Sequence, residues 1–227
     1  MKVINWHYIL IIKIAILINL VYTKEVLIKS ENDFLNAVNH KNYDELIINN
    51  KISINSRLKI DISSLYIKGN SDLSGIHFNE FVEFSNGHFL EFNNVDFSGN
   101  VTINYSNVNI LHTEFRGNIS ITRGDNNGGK LNIKHSRFFL QGELERDFME
   151  INNYDTVISH CSFEPSSDGW GSLLKYGGGV SKSYHLDMEE SEFNGKFTSR
   201  ALDVTFGLIN IKTTNFINCT SYKNSKG

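Results

Sequence analysis

The sequence predicts an all-β fold, a parallel β-helix (β-solenoid) of about seven coils preceded by a short helix. Three observations carry this expectation. A unit ending in phenylalanine recurs along the chain, three short strands return within each unit, and helical periodicity is confined to one segment near the start.

The recurring unit is plain in LEFNNVDF, VNILHTEF, LNIKHSRF, TVISHCSF, LDMEESEF and INIKTTNF, which end at Phe97, Phe115, Phe138, Phe163, Phe193 and Phe216. LSGIHF, ending at Phe78, is aligned with them as a first, less regular member. Apolar residues alternate, two residues intervene, and alternation resumes, as in Leu90, Phe92, Val95, Phe97 or Leu131, Ile133, Ser136, Phe138. Such spacing is expected of two strands joined by a tight corner, because side chains of one face recur every second residue. A third strand follows at VEF (82 to 84), VTI (101 to 103), ISI (119 to 121), MEI (149 to 151), LKY (174 to 176) and LDV (202 to 204). Three strands and three corners per unit describe a coil, and stacked coils turn the phenylalanines into a column.

In chain order, residues 1–23 contain an apolar run of signal-peptide length and are expected to be a secretion signal. Residues 24–45 are expected to form an N-terminal cap, a strand and then a helix that Ser30 starts and Asp33 supports, with Phe34, Leu35 and Val38 on one face. Residues 46–227 are expected to form the β-helix, with no cap after its last coil. A bare solenoid edge implies a partner or a missing segment covering it.

Composition narrows the function. A net charge of −3 with a pI near 6.2 gives no basic footprint for nucleic acid. Two cysteines make no disulfide scaffold. Sequons at Asn100, Asn104, Asn118 and Asn218 agree with a secreted or cell-surface glycoprotein that has no membrane attachment once the signal is removed.

With its coil units and capping helix, the chain resembles the right-handed parallel β-helix of the pectate-lyase-like superfamily. FSGN (97 to 100), FRGN (115 to 118) and GGGV (177 to 180) resemble the FxxN and GG-apolar repeats of polymorphic outer-membrane proteins. The resemblance implies a carbohydrate partner. Its calcium-dependent and polygalacturonase-like catalytic motifs are not matched, so no known active site carries over.

Within a solenoid, chemistry is read down columns. Asn94, His112, His135 and His160 share one bend and are expected to form a stacked polar corner ladder rather than a metal site. Glu150, Lys175 and Asp203 fall at the outward centre of successive third strands and are the candidate catalytic residues, since carboxylates beside a lysine suffice for acid–base work on an acidic sugar. The same alternation of charge is also expected for purely structural reasons, because neighbouring strands favour opposite signs. Insertions around the same coils bring Trp170 and Tyr184 as candidates to stack on sugar rings. The function expected from the sequence is a non-catalytic β-solenoid that binds glycan or serves as an adhesive or structural module, without cofactor. The alternative is a polysaccharide lyase or glycoside hydrolase acting on an acidic polysaccharide.

Overall fold

The computed structural model of the chain describes residues 24–124, 128–140, 149–166, 171–178 and 183–220. The expected leader over residues 1–23 and Trp170 lie outside these residues. Strands pair in parallel with the strand one coil away, and three faces result.

Sheet A contains Glu25–Ile28, Glu45–Ile48, Ser64–Gly69, residues 89–93 and 107–111, Gly129–Lys134, Tyr154–Ser159, His185–Glu189 and Leu208–Lys212. Sheet B contains Lys51–Ile54, Gly75–Phe78, residues 96–99 and 114–117, Arg137–Leu140, Ser162–Pro165, Glu192–Asn194 and Asn215–Ile217. Sheet C contains Leu58–Ile60, residues 82–85, 101–104 and 119–122, Met149–Asn152, Ser172–Gly177 and Arg200–Val204. The fold is the expected all-β, right-handed parallel solenoid, with one short helix among the described residues.

Inside, alternate strand residues between residues 45 and 194 are largely buried in one apolar core, whereas those of Arg200–Val204 are half-buried and those of Leu208–Lys212 and Asn215–Ile217 are exposed. Rings from Phe97 through Phe115, Phe138, Phe163 and Phe193 to Phe216 follow one another at 4.5 to 6.3 Å between centroids. Phe78 does not belong to this register. Ile76 pairs with Phe97, and Phe78 lies two residues further on, opposite Ile54. Its place explains the FSGN corner: Gly99 has φ +123, and a Cβ there would fall 2.4 Å from the Phe78 carbonyl oxygen.

The bend between sheets A and B is built the same way in coil after coil. Asn94, His112, His135, His160, Glu190 and Thr213 all have φ between 45 and 54, the left-handed region. One left-handed residue turns the strand and restores its alternation on the next face. The small residue that follows then points inward, where Thr113, Ser136, Cys161, Ser191 and Thr214 each donate to the carbonyl two residues earlier. A larger side chain there would lack both the space and the donor.

The helix, α1 (Glu31–His40), covers the first coil. Its N-terminus is a reciprocal capping box: the Asp33 N–H donates to Ser30 Oγ at 3.2 Å and the Lys29 N–H to Asp33 Oδ2 at 3.0 Å. Phe34, Ala37 and Val38 are its buried face, whereas Leu35 is half-buried, and Phe34 meets Phe78 edge-on.

The corner between sheets C and A carries a feature the strand pattern did not suggest. Tyr105, Tyr154 and Tyr176 are buried there; their hydroxyls donate to the carbonyls of Ile62, Tyr105 and Tyr154. The first two bonds reach across an intervening coil, and a glycine makes the passage. Gly87 pairs with Tyr105 and Gly129 with Tyr154, and a Cβ at either would strike the tyrosine ring at 1.8 or 2.3 Å.

Candidate functional site

The outward positions of sheet C form the expected column. Glu83, Thr102, Ser120, Glu150, Lys175 and Asp203 are consecutive partners in the pairing register. Lys175 Nζ lies 3.4 Å from Glu150 Oε1, Lys59 Nζ lies 2.9 Å from Glu83, and Arg200 lies 3.8 Å from Asp203. Each carboxylate thus has a cation beside it on an open face, the arrangement that opposite charges favour on adjoining strands. Tyr184 corrects the expectation for a stacking residue: it is 2% exposed, and its ring packs against Gly128 and Gly178 in the core. The inward alternation of the sheet A strand that starts at His185 extends back to Tyr184 and buries it.

At the corner between sheets A and B, His112 and His135 stack at 4.9 Å with rings 3° from parallel, and His135 and His160 follow at 4.7 Å. His160 Nε2 meets Glu190 Oε2 at 2.7 Å. Asn94 opens the column, donating to the Gly69 carbonyl at 3.5 Å, and backbone bonds tie each bend to the next coil. Among the described residues no group of three or more His, Cys, Asp or Glu side chains is placed to hold a metal ion.

Of the four sequon asparagines, Asn100 and Asn218 are exposed and Asn104 is half-buried. Asn118 is also half-buried, and its Oδ1 is buried without a hydrogen-bond partner.

Two further surfaces escaped the sequence reading. The first is a trough of about 390 Å³ on sheet A. One column supplies Phe89, Asn107, Lys130 and Asp155, and the adjoining column Asn109, Asn132, Val157 and Asp187. Tyr66 and Phe89 sit 5.0 Å apart at one end, and Asn109 Nδ2 donates to Glu91 Oε2 at 3.0 Å. The signal was present in VNI, LNI and LDM, whose middle residues are polar and outward.

The second is a notch of about 290 Å³ on sheet B, opened where Gly75 interrupts an outward column between Lys51 and Asp96. Asp96, Glu114, Arg116, His77 and Ser98 complete its walls. Burial, and then the neighbouring Glu114, push the Asp96 carboxyl above the ordinary aspartate range. Glu114 accepts two bonds from Arg116, at 2.9 and 2.6 Å, both on Oε1. A glycine that leaves a gap outside a strand is hard to see in one sequence.

No family model and no curated protein matches the chain. Among solved structures it is similar to the Dettilon tailspike protein, with 11% identity and a TM-score of 0.40. The alignment covers 86% of this chain and 43% of the tailspike, so the chain spans less than half of that protein's length.

Proposed function

We propose that the protein is a secreted or cell-surface β-solenoid, a relative of the pectate-lyase-like superfamily, that binds glycan along sheet A. The trough carries this proposal. Asn107, Asn109, Asn132, Asp155 and Asp187 put amides and carboxylates on neighbouring coils, beside the half-buried ring pair of Tyr66 and Phe89. Amide and carboxylate groups engage paired sugar hydroxyls, and an aromatic face packs on the C–H side of a pyranose. The Glu150 and Lys175 column supports binding less well, because its charges already neutralise one another.

The test is a glycan array followed by titration of the best ligand. Phe89→Ala and Asn132→Ala are each expected to weaken binding roughly tenfold or more, while Lys175→Ala leaves it unchanged. Absence of any bound glycan, or loss of binding only in Lys175→Ala, overturns the proposal.

A further inference from the structure

We propose that the last coil is a self-association surface, where two copies of the chain meet end to end and Leu208–Lys212 pairs antiparallel with its own counterpart across a two-fold axis. The surface lies at the end of the stack and goes beyond glycan binding along sheet A.

Among the described residues, Arg200–Val204, Leu208–Lys212 and Asn215–Ile217 each pair with a strand on one side only. Their outer edges carry backbone N–H and C=O groups that can template another chain. Phe206, Leu208, Ile209, Ile211, Phe216 and Ile217 are between 38 and 57% exposed around these edges. At ~150–200 Å² for a whole side chain of this size, they offer roughly 400–550 Å² of apolar area. A standard interface buries ~800 Å² per partner, a little over half of it apolar, so the patch has the size a stable dimer needs. Residues 221–227, SYKNSKG, hold Tyr222 as their one large apolar-bodied side chain, too little to bury six.

The occupant is a second copy because the strand is its own complement. Ile209, Asn210 and Ile211 read the same in both directions. In an antiparallel pair centred on Asn210, Ile209 falls opposite Ile211 of the partner subunit, and both follow the inward column of Leu186 and Met188. The two cores then become continuous. A slip of one residue would set Ile211 against Asn210 of the partner subunit, so the alternation fixes the register. Lys212 falls opposite Leu208 of the partner subunit, and no like charges meet. A two-fold axis normal to sheet A also exchanges the places of sheets B and C, which brings Asn215–Ile217 against Arg200–Val204 of the partner subunit.

The opposite end of the stack limits the assembly to two. Helix α1 covers the first coil with Phe34, Ala37 and Val38 buried, so head-to-tail stacking finds no bare face to grow on and the contact closes.

The test is sedimentation velocity of the full chain over a dilution series. The expected species has twice the 25.9 kDa chain mass and dissociates on dilution. Ile211→Lys places two ammonium groups in the joined core and is expected to weaken association roughly 30-fold or more, while the dilute variant keeps the circular dichroism of wild type. Asn210→Cys in a Cys219→Ser background is expected to cross-link two copies through residue 210 on oxidation with copper phenanthroline, because residues facing each other on the axis lie within disulfide reach. Lys59→Cys in the same background, far from the last coil, is expected to stay uncross-linked. Amide exchange in Leu208–Lys212, fast in the dilute chain, is expected to slow as the dimer fills. A chain that stays monomeric at every concentration overturns the proposal, as do open-ended polymers or a dimer that Ile211→Lys leaves intact. Protection of Leu208–Lys212 that is unchanged on dilution would mean that a segment of the same chain covers the strand, and it overturns the proposal too.

Discussion

Tyr105 shows how far a single side chain can act in this fold. Its hydroxyl caps the Ile62 carbonyl at 2.7 Å, its backbone carbonyl receives the Tyr154 hydroxyl, and its ring fills the space that Gly87 leaves. Tyr154→Phe strands a buried carbonyl, and denaturant unfolding should register a loss of ~1–3 kcal/mol. Gly129→Ala forces a methyl into the Tyr154 ring and should cost ~1–3 kcal/mol by the same measurement. Burial raises the Tyr105 hydroxyl to about 12 from an ordinary value of 10. The unfolded chain therefore releases this proton first as pH rises. The contribution of Tyr105 to stability is whole below pH 10 and falls away as pH climbs through about 12. Thermal unfolding followed across that window, in wild type and Tyr105→Phe, should show the decline in wild type and a shallower one in the variant.

At the scale of the element, the bend between sheets A and B was legible because its two-residue spacing resets alternation. The sequence could place His112, His135 and His160 in one column, but it could not state their backbone conformation. A left-handed residue is tolerated by Asn and, less well, by His or Glu, and it strains a β-branched side chain most. Thr213, with φ 45, is that case. Thr213→Asn should raise stability by ~1 kcal/mol, and thermal melting would check it. The helix was also legible, from Ser30 and Asp33. The Phe78 register was not, because its phenylalanine imitates the others while Ile76 holds the inward position opposite Phe97. Tyr184 misled for a related reason: its flanking insertion hid the alternation that buries it.

For the whole molecule, the coil count and inward columns followed from the sequence, whereas the surfaces did not. An outward trough or notch depends on which polar residues become neighbours thirty residues apart, and on a gap such as Gly75 that has meaning only beside Lys51 and Asp96. Exposure varies along the stack. Ile209, Ile211 and Phe216 are 42, 38 and 46% exposed, while Leu186, Met188 and Phe193, their counterparts one coil earlier, are at most 2% exposed. Amide hydrogen exchange should therefore be faster in Leu208–Lys212 and Asn215–Ile217 than in Gly129–Lys134 and Tyr154–Ser159. Solenoids ordinarily come apart as a one-dimensional stack in which each layer feels only its neighbours. The tyrosine bonds break that rule, since Tyr105 reaches Ile62 and Tyr154 reaches Tyr105 over the layer between. Drawn from its two ends, the molecule should yield in paired layers, with the sawtooth of a force–extension trace skipping the steps that the stapled coils share.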